Sequence, residues 1–146
     1  MTATTTDQKT IVVCDDNDDI LGFLGKLLSV EGYSVSTAHG YDELAKLVKG
    51  PKPDLIIMDI NMPEHDGIWI AEELQSRGLQ IPLIFITAFD NPIYRMNALV
   101  AGATEYLIKP FDADVLLKKV AKSFGARPTE SNWDLQATES CDSYRI

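Results

Sequence analysis

Leu55-Ile56-Ile57-Met58-Asp59-Ile60-Asn61-Met62-Pro63-Glu64-His65-Asp66-Gly67 is an apolar run that stops at a carboxylate and then breaks into a loop. The bulky residues Leu55 to Met58, preceded by Pro53-Asp54 and followed by Pro63, have the pattern of a strand buried on both faces. Asp59 stands where that strand surfaces, which is where open α/β sheets bind their ligands. A single carboxylate there can also simply start a turn, so its meaning depends on what the rest of the chain brings to meet it.

Two further runs have the same character. Ile11-Val12-Val13-Cys14 ends in Asp15-Asp16-Asn17-Asp18-Asp19, and Pro82-Leu83-Ile84-Phe85-Ile86 ends at Thr87. Tyr33 to Ala38 alternates with period two, as a strand with one wet face does. Glu105-Tyr106-Leu107-Ile108 is a short last strand running into Lys109-Pro110.

Helical spacing fills the intervals. Ile20, Leu24, Leu27 and Leu28 precede Gly32, and Leu44, Leu47 and Val48 precede Gly50-Pro51. Asp66 is placed to cap a helix carrying Ile70, Ala71 and Leu74 that stops at Gly78. Asn91-Pro92 puts a capping residue before a proline at the first helical position. That helix carries Ile93, Met96, Leu99 and Val100, and Gly102 suits its left-handed end. Asp112 is expected to cap a final helix with Leu116, Leu117, Val120, Ala121 and Phe124, closed by Gly125.

Five strands alternating with five helices imply an α/β fold, a three-layer (βα)5 doubly wound parallel sheet. The continuous strands belong in the centre and the second and fifth at the edges. The flavodoxin-like order 2-1-3-4-5 satisfies this. Residues 10–125 form the expected domain, between a polar N-terminal segment (1–9) and a polar tail (126–146) in which Trp133 and Tyr144 are the aromatic residues.

Composition narrows the function classes. The 146 residues are 45% hydrophobic and 24% charged, with a formal charge of −9, so nucleic-acid binding would need a basic patch. The densest basic cluster, Lys118, Lys119 and Lys122, is explained by the dipole at a helix C-terminus. There is neither a signal-peptide pattern nor an apolar run long enough to span a bilayer. Cys14 ends an apolar run and Cys141 lies in the polar tail, which argues against a disulfide and for a reducing, cytoplasmic setting. A buried Cys14 beneath the acids should have a raised pKa and be unreactive. His39 and His65 read as surface residues.

Right-handed crossovers put every strand's C-terminal end on one side. Asp15 and Asp16, Asp59, Thr87 and Lys109 therefore gather at one sheet edge. Clustered carboxylates resist full ionisation unless a cation joins them, and an all-oxygen site with few protein ligands suits Mg2+. A lysine and a hydroxyl serve phosphoryl oxygens, and a carboxylate can itself be the nucleophile. The set reads as a metal-assisted phosphoryl-transfer site with Asp59 as acceptor.

These residues, with Cys14-Asp15-Asp16, Met58-Asp59-Ile60-Asn61-Met62-Pro63, Ile86-Thr87-Ala88, Ala101-Gly102-Ala103 and Tyr106-Leu107-Ile108-Lys109-Pro110-Phe111, make the stretch Ile11–Phe124 resemble the receiver domain of two-component response regulators, in the single-domain form. The resemblance implies that Asp59 accepts a phosphoryl group from a phosphohistidine on a sensor histidine kinase or histidine phosphotransfer protein. It implies Mg2+ (or Mn2+) held by Asp16 and Asp59, by the Asn61 backbone carbonyl, and by Asp15 chiefly through water. Lys109, before a cis Pro110, would bind the phosphoryl oxygens, and Thr87 would swing to them while Tyr106 turns inward. The switched surface would be helix 4, strand 5 and helix 5, read by a downstream protein target, with the chain a monomer or a phosphorylation-dependent dimer. Asn61 and Phe89 lie at positions that tune phosphoryl lifetime. Asp18, Leu21, Gly22 and Gly25, with Ser29, line the side of helix 1 that would meet the phosphodonor. Trp69 falls on an exposed face of helix 3.

Three rival readings fit the chain less well. Asp15-x-Asn17-x-Asp19 starts like a calcium loop, but Ile20 and Lys26 occupy the positions that need Gly and Glu. A haloacid-dehalogenase-type phosphatase would carry a second Asp where Asn61 stands, and a cap domain. A receiver-like binding module acting without phosphorylation remains an alternative, although no member of the acceptor set is missing.

Overall fold

A computed structural model describes residues 8–125; the segments 1–7 and 126–146, with Trp133, Cys141 and Tyr144, lie outside the described residues. The chain alternates β1 (Thr10–Cys14), α1 (Asp18–Val30), β2 (Ser34–Ala38), α2 (Tyr41–Lys49), β3 (Leu55–Asp59), α3 (Gly67–Ser76), β4 (Leu83–Thr87), α4 (Pro92–Val100), β5 (Ala103–Ile108) and α5 (Ala113–Ser123). The five strands form one sheet in the order β2-β1-β3-β4-β5, every pairing parallel. This is the flavodoxin-like arrangement expected from the apolar runs.

The central strands are continuous hydrophobic runs because each serves two cores. Val12, Cys14, Ile56, Met58 and Phe85 point to one face, where they pack with Leu44, Val48, Ile70, Leu74 and Ala98 of α2, α3 and α4. Ile11, Val13, Leu55, Ile57, Ile84 and Ile86 point to the other, against Leu24, Leu28, Leu116 and Val120 of α1 and α5. Each Val, Leu, Ile, Met or Phe among them taken wholly from water contributes about 1.5–3 kcal/mol. Together they hold the strand ends in fixed register.

Four expectations change. First, Ile93, Met96, Leu99 and Val100 of α4 are not core residues; they are 62–74% exposed. The inward line of α4 is instead half-buried Tyr94 followed by the buried Ala98 and Ala101, again at helical spacing. Small residues let this helix lie close to the sheet, and its large apolar side chains project outward. Second, Leu21 is 4% exposed and belongs to the core under α1. It is thereby removed from the expected contact face, although Asp18, Gly22 and Ser29 are exposed and Gly25 half-buried. Third, Asp112 holds the N-cap position of α5 without a side-chain capping hydrogen bond. Fourth, two of the lysines late in α5 do more than answer a helix dipole: Lys119 and Lys122 lie 2.9 and 3.3 Å from the carboxylate of Glu105, which is buried in β5.

Among the described residues no helix is long and apolar enough to cross a membrane.

Candidate functional site

Three acids meet at the C-terminal edge of the sheet. Asp15 follows β1 and is fully buried, Asp16 beside it is exposed, and Asp59, the last residue of β3, is buried. One carboxylate oxygen from each lies within 4.8 Å of the others. The parallel pairing of β1 with β3 brings them together: Cys14 stands opposite Met58, so the next residues out are Asp15 and Asp59. Asp15 Oδ1 accepts the Asn17 N–H at 2.9 Å, which fixes that carboxylate.

Among the described residues, one cation faces them. Lys109, leaving β5, places Nζ 3.2 Å from Asp15 Oδ2 and 3.8 Å from Asp59 Oδ1. Its backbone N–H donates to the Thr87 carbonyl at 2.7 Å, and the Lys109–Pro110 peptide is cis, as expected. A single ammonium leaves the acids with excess negative charge. Burial above all, then the neighbouring Asp15, pushes the Asp59 carboxyl up to about 6, against the opposing pull of Lys109 and the Asn61 N–H. An all-oxygen donor set with charge to spare fits Mg2+, with Asp15, Asp16 and Asp59 as the groups that would hold it.

Thr87, buried at the end of β4, donates from Oγ1 to Asn61 Oδ1 at 2.9 Å and accepts the Phe89 N–H at 3.1 Å. Tyr106 is half-buried and its hydroxyl donates to the Phe89 carbonyl at 3.4 Å. Phe89 itself is 52% exposed.

The loop after Asp59 is tightly wound. Asp66 caps α3 by accepting the Trp69 N–H at 2.8 Å. His65 N–H donates to the Pro63 carbonyl at 2.8 Å with Glu64 between them at φ 69°, a γ-turn of the strained, positive-φ kind. Gly67 N–H bonds to the Ile60 carbonyl at 2.8 Å, and a Cβ on Gly67 would run into the backbone oxygen of Asp59. The glycine is there because the backbone of α3 presses on the end of β3.

Beside this loop the His65 ring stacks on Trp69 with centroids 3.7 Å apart, and Tyr41 meets both edge-on. Trp69 is thus an exposed residue held in a cluster. His39 bridges Asp18 at 2.6 Å and Glu43 at 2.9 Å, and these hydrogen bonds raise its pKa. The Cys14 thiol is buried and pushed up to about 12 by burial and the nearby acids, as expected of an inert cysteine.

Sequence reasoning missed Asn17, whose side chain accepts the Asp19 and Ile20 N–H groups to cap α1. The signal was present: an Asn followed by two acids at a helix start. The His39–Glu43 pair also has the i,i+4 spacing, but the third partner, Asp18, is distant in sequence. Arg95, whose guanidinium lies 4.9 Å over the Tyr106 ring, carried no signal at all.

Residues 11–121 match the response regulator receiver domain family. The chain belongs to that family. It is 36% identical over 110 residues to response regulator MprA of Mycobacterium avium, covering 75% of this chain and 48% of that protein. It therefore spans about half the length of the curated relatives it matches. Among solved structures it resembles a two-component response regulator from Clostridium difficile, with a TM-score of 0.77, 27% identity, and coverage of 82% of this chain and 98% of the other. It also resembles TrrA of Thermotoga maritima, solved with Mg2+ and BeF, with a TM-score of 0.71, 34% identity, and coverage of 80% and 99%. The receiver family, the fold and the parallel strand order inferred from the sequence all stand.

Proposed function

We propose that this receiver accepts a phosphoryl group on Asp59 from a phosphohistidine of a sensor kinase or phosphotransfer protein, and that the modification switches a protein-binding surface. The observation that carries this is the convergence of Asp15, Asp16 and Asp59, with Lys109 on Asp15 and Asp59 and the Thr87 hydroxyl at the end of the adjoining strand. A bound Mg2+, or Mn2+ in its place, would neutralise charge that builds on the transferring group. The residues supply the rest. An Asp59 carboxylate oxygen attacks phosphorus, the P–N bond to the donor imidazole breaks, and the imidazole leaves with the electron pair. Lys109 turns from Asp15 towards the phosphoryl oxygens. Asp16 and Asp59, with the Asn61 backbone carbonyl, would hold the metal, and Asp15 would act on it chiefly through water.

The product carries about two negative charges and strong acceptor oxygens. They compete with Asn61 for the Thr87 hydroxyl, and Thr87 moving across vacates the space into which Tyr106 turns. The downstream protein target would read this on α4, β5 and α5, where α4 presents its apolar residues outward. Phe89 shields the phosphoryl group and Asn61 tunes its lifetime. The donor approaches the side of α1 that carries the exposed Asp18 and Gly22 and the half-buried Gly25. This work belongs in the cytoplasm and needs neither nucleic acid nor membrane.

Intact-mass measurement after incubation with acetyl phosphate and Mg2+ tests the reading. A single phosphoryl adduct, absent with chelator and absent in Asp59→Asn, is expected. Sustained release of phosphate over many rapid turnovers would replace it with a phosphatase. A wild type showing neither adduct nor turnover, even with a cognate kinase, would favour a binding module that works without phosphorylation.

A further inference from the structure

At the corner where β2 gives way to α2, one ring stands between two carboxylates. His39 Nε2 lies 2.6 Å from Asp18 Oδ1, and its Nδ1 lies 2.9 Å from Glu43 Oε1. The His39 backbone N–H donates to the same Glu43 oxygen at 2.8 Å. That bond matters to α2, because Gly40 holds the N-cap position and makes no side-chain capping bond. Asp18 is the first residue of α1. A neutral imidazole has one N–H and one bare lone pair, whereas the imidazolium has two N–H groups. Only the imidazolium can donate to both carboxylates. The same hydrogen bonds, from Glu43 first and then from Asp18, raise the His39 pKa above its ordinary 6.5.

We propose that His39 is a pH-sensitive strap: protonated, it ties the first turn of α1 to the first turn of α2, and on losing its proton it lets one of them go. Which carboxylate is released does not alter the outcome, since the ring joins the helices only while it holds both. The acids around the ring favour its charged form as well. Asp16 after β1, Asp42 of α2 and Glu64 of the loop between β3 and α3 line one cleft with His39, Tyr41 and His65, and among the described residues no lysine or arginine lines it. Lys46 of α2 acts on Glu43. With the folded-state pKa raised, the link is complete below 6.5 and is lost as pH climbs through the folded value. The side chains of His39, Asp18 and Glu43 are all half exposed or more, so the strap adds little to stability and acts on placement instead. Asp18 meets a partner of α1 as half of an ion pair while the strap holds, and as a bare carboxylate once it opens. None of this depends on Asp59 being the phosphoryl acceptor.

The test follows the histidine ring and backbone amide resonances of the full chain through a pH titration. The His39 midpoint is expected above 6.5, and the amides of Asp19 in α1 and Tyr41 in α2 should shift with that same midpoint. Asp18→Asn and Glu43→Gln should each lower it, and Asp42→Asn, which takes an equal charge from the cleft wall, should lower it less. In Asp18→Asn the α1 amide should no longer follow His39 while the α2 amide still does. A His39 midpoint at or below 6.5 overturns the strap. So does a raised midpoint that Asp42→Asn lowers as far as Asp18→Asn, because a general acidic field would then be its cause. A midpoint that Asp18→Asn leaves in place confines the ring to its own helix and overturns it too, as do α1 and α2 amides that titrate independently of His39.

Discussion

Asp59 is held at odds with its own charge. Its carboxyl ordinarily titrates at 3.8 and is raised to about 6 by burial and by Asp15. Between those values the folded state keeps a proton that the unfolded state releases, so stability falls as pH climbs through that window. Above pH 6 the deficit is complete, of the order of 3 kcal/mol at about 1.4 kcal/mol per unit. Asp59→Asn removes it. In chelated buffer at pH 7.5 the variant should resist urea better than the wild type, by about 1–3 kcal/mol, and the gap should narrow near pH 4.5. Mg2+ should close part of the gap by stabilising the wild type. A variant less stable than the wild type at pH 7.5 would mean that Asp59 is not strained by its neighbours.

At the scale of elements, the join between β3 and α3 is the least tolerant part of the site. A Cβ at Gly67 would meet the Asp59 carbonyl oxygen and lie 3.0 Å from the Ile60 Cα, and backbone cannot step aside as a side chain can. Gly67→Ala should cost about 1–3 kcal/mol in urea unfolding and displace the Asp59 carboxylate. Phosphorylation by acetyl phosphate should therefore slow by more than the stability change explains. Helix α1 is the opposite case. A Cβ at Gly22 meets nothing within 4 Å, and Gly22 is exposed in mid-helix. Gly22→Ala should stabilise the protein by about 0.5–1 kcal/mol. It should also leave phosphorylation by acetyl phosphate unchanged while slowing transfer from a kinase, if this side of α1 receives the donor. Equal rates from both donors would move the donor surface elsewhere.

At the scale of the molecule, the sheet could be read from the chain because buried parallel strands announce themselves as continuous apolar runs, and the heart of the site because Asp15, Asp59, Thr87 and Lys109 each stand at the end of a strand. Asp15, Asp59, Thr87 and Lys109 were findable by position alone. What stayed hidden depended on contacts without periodicity. The inner line of α4 ends in alanines, so the large residues Ile93, Met96, Leu99 and Val100 drew attention to the wrong face. Leu21 shares its helix side with Gly22 and Gly25 in the linear pattern, yet its side chain turns into the core. Glu105 with Lys119 and Lys122, His39 with Asp18, and Arg95 over Tyr106 each join segments whose proximity only the fold creates. The most direct measurement of the central claim is borohydride trapping. An aspartyl phosphate is reduced to homoserine, so the chain is treated with acetyl phosphate and Mg2+, reduced, digested and mapped by peptide mass. Homoserine at position 59 alone, and none when Mg2+ is chelated, is the expected result. Homoserine at another acidic residue, or none in the Mg2+-loaded wild type, would contradict the account.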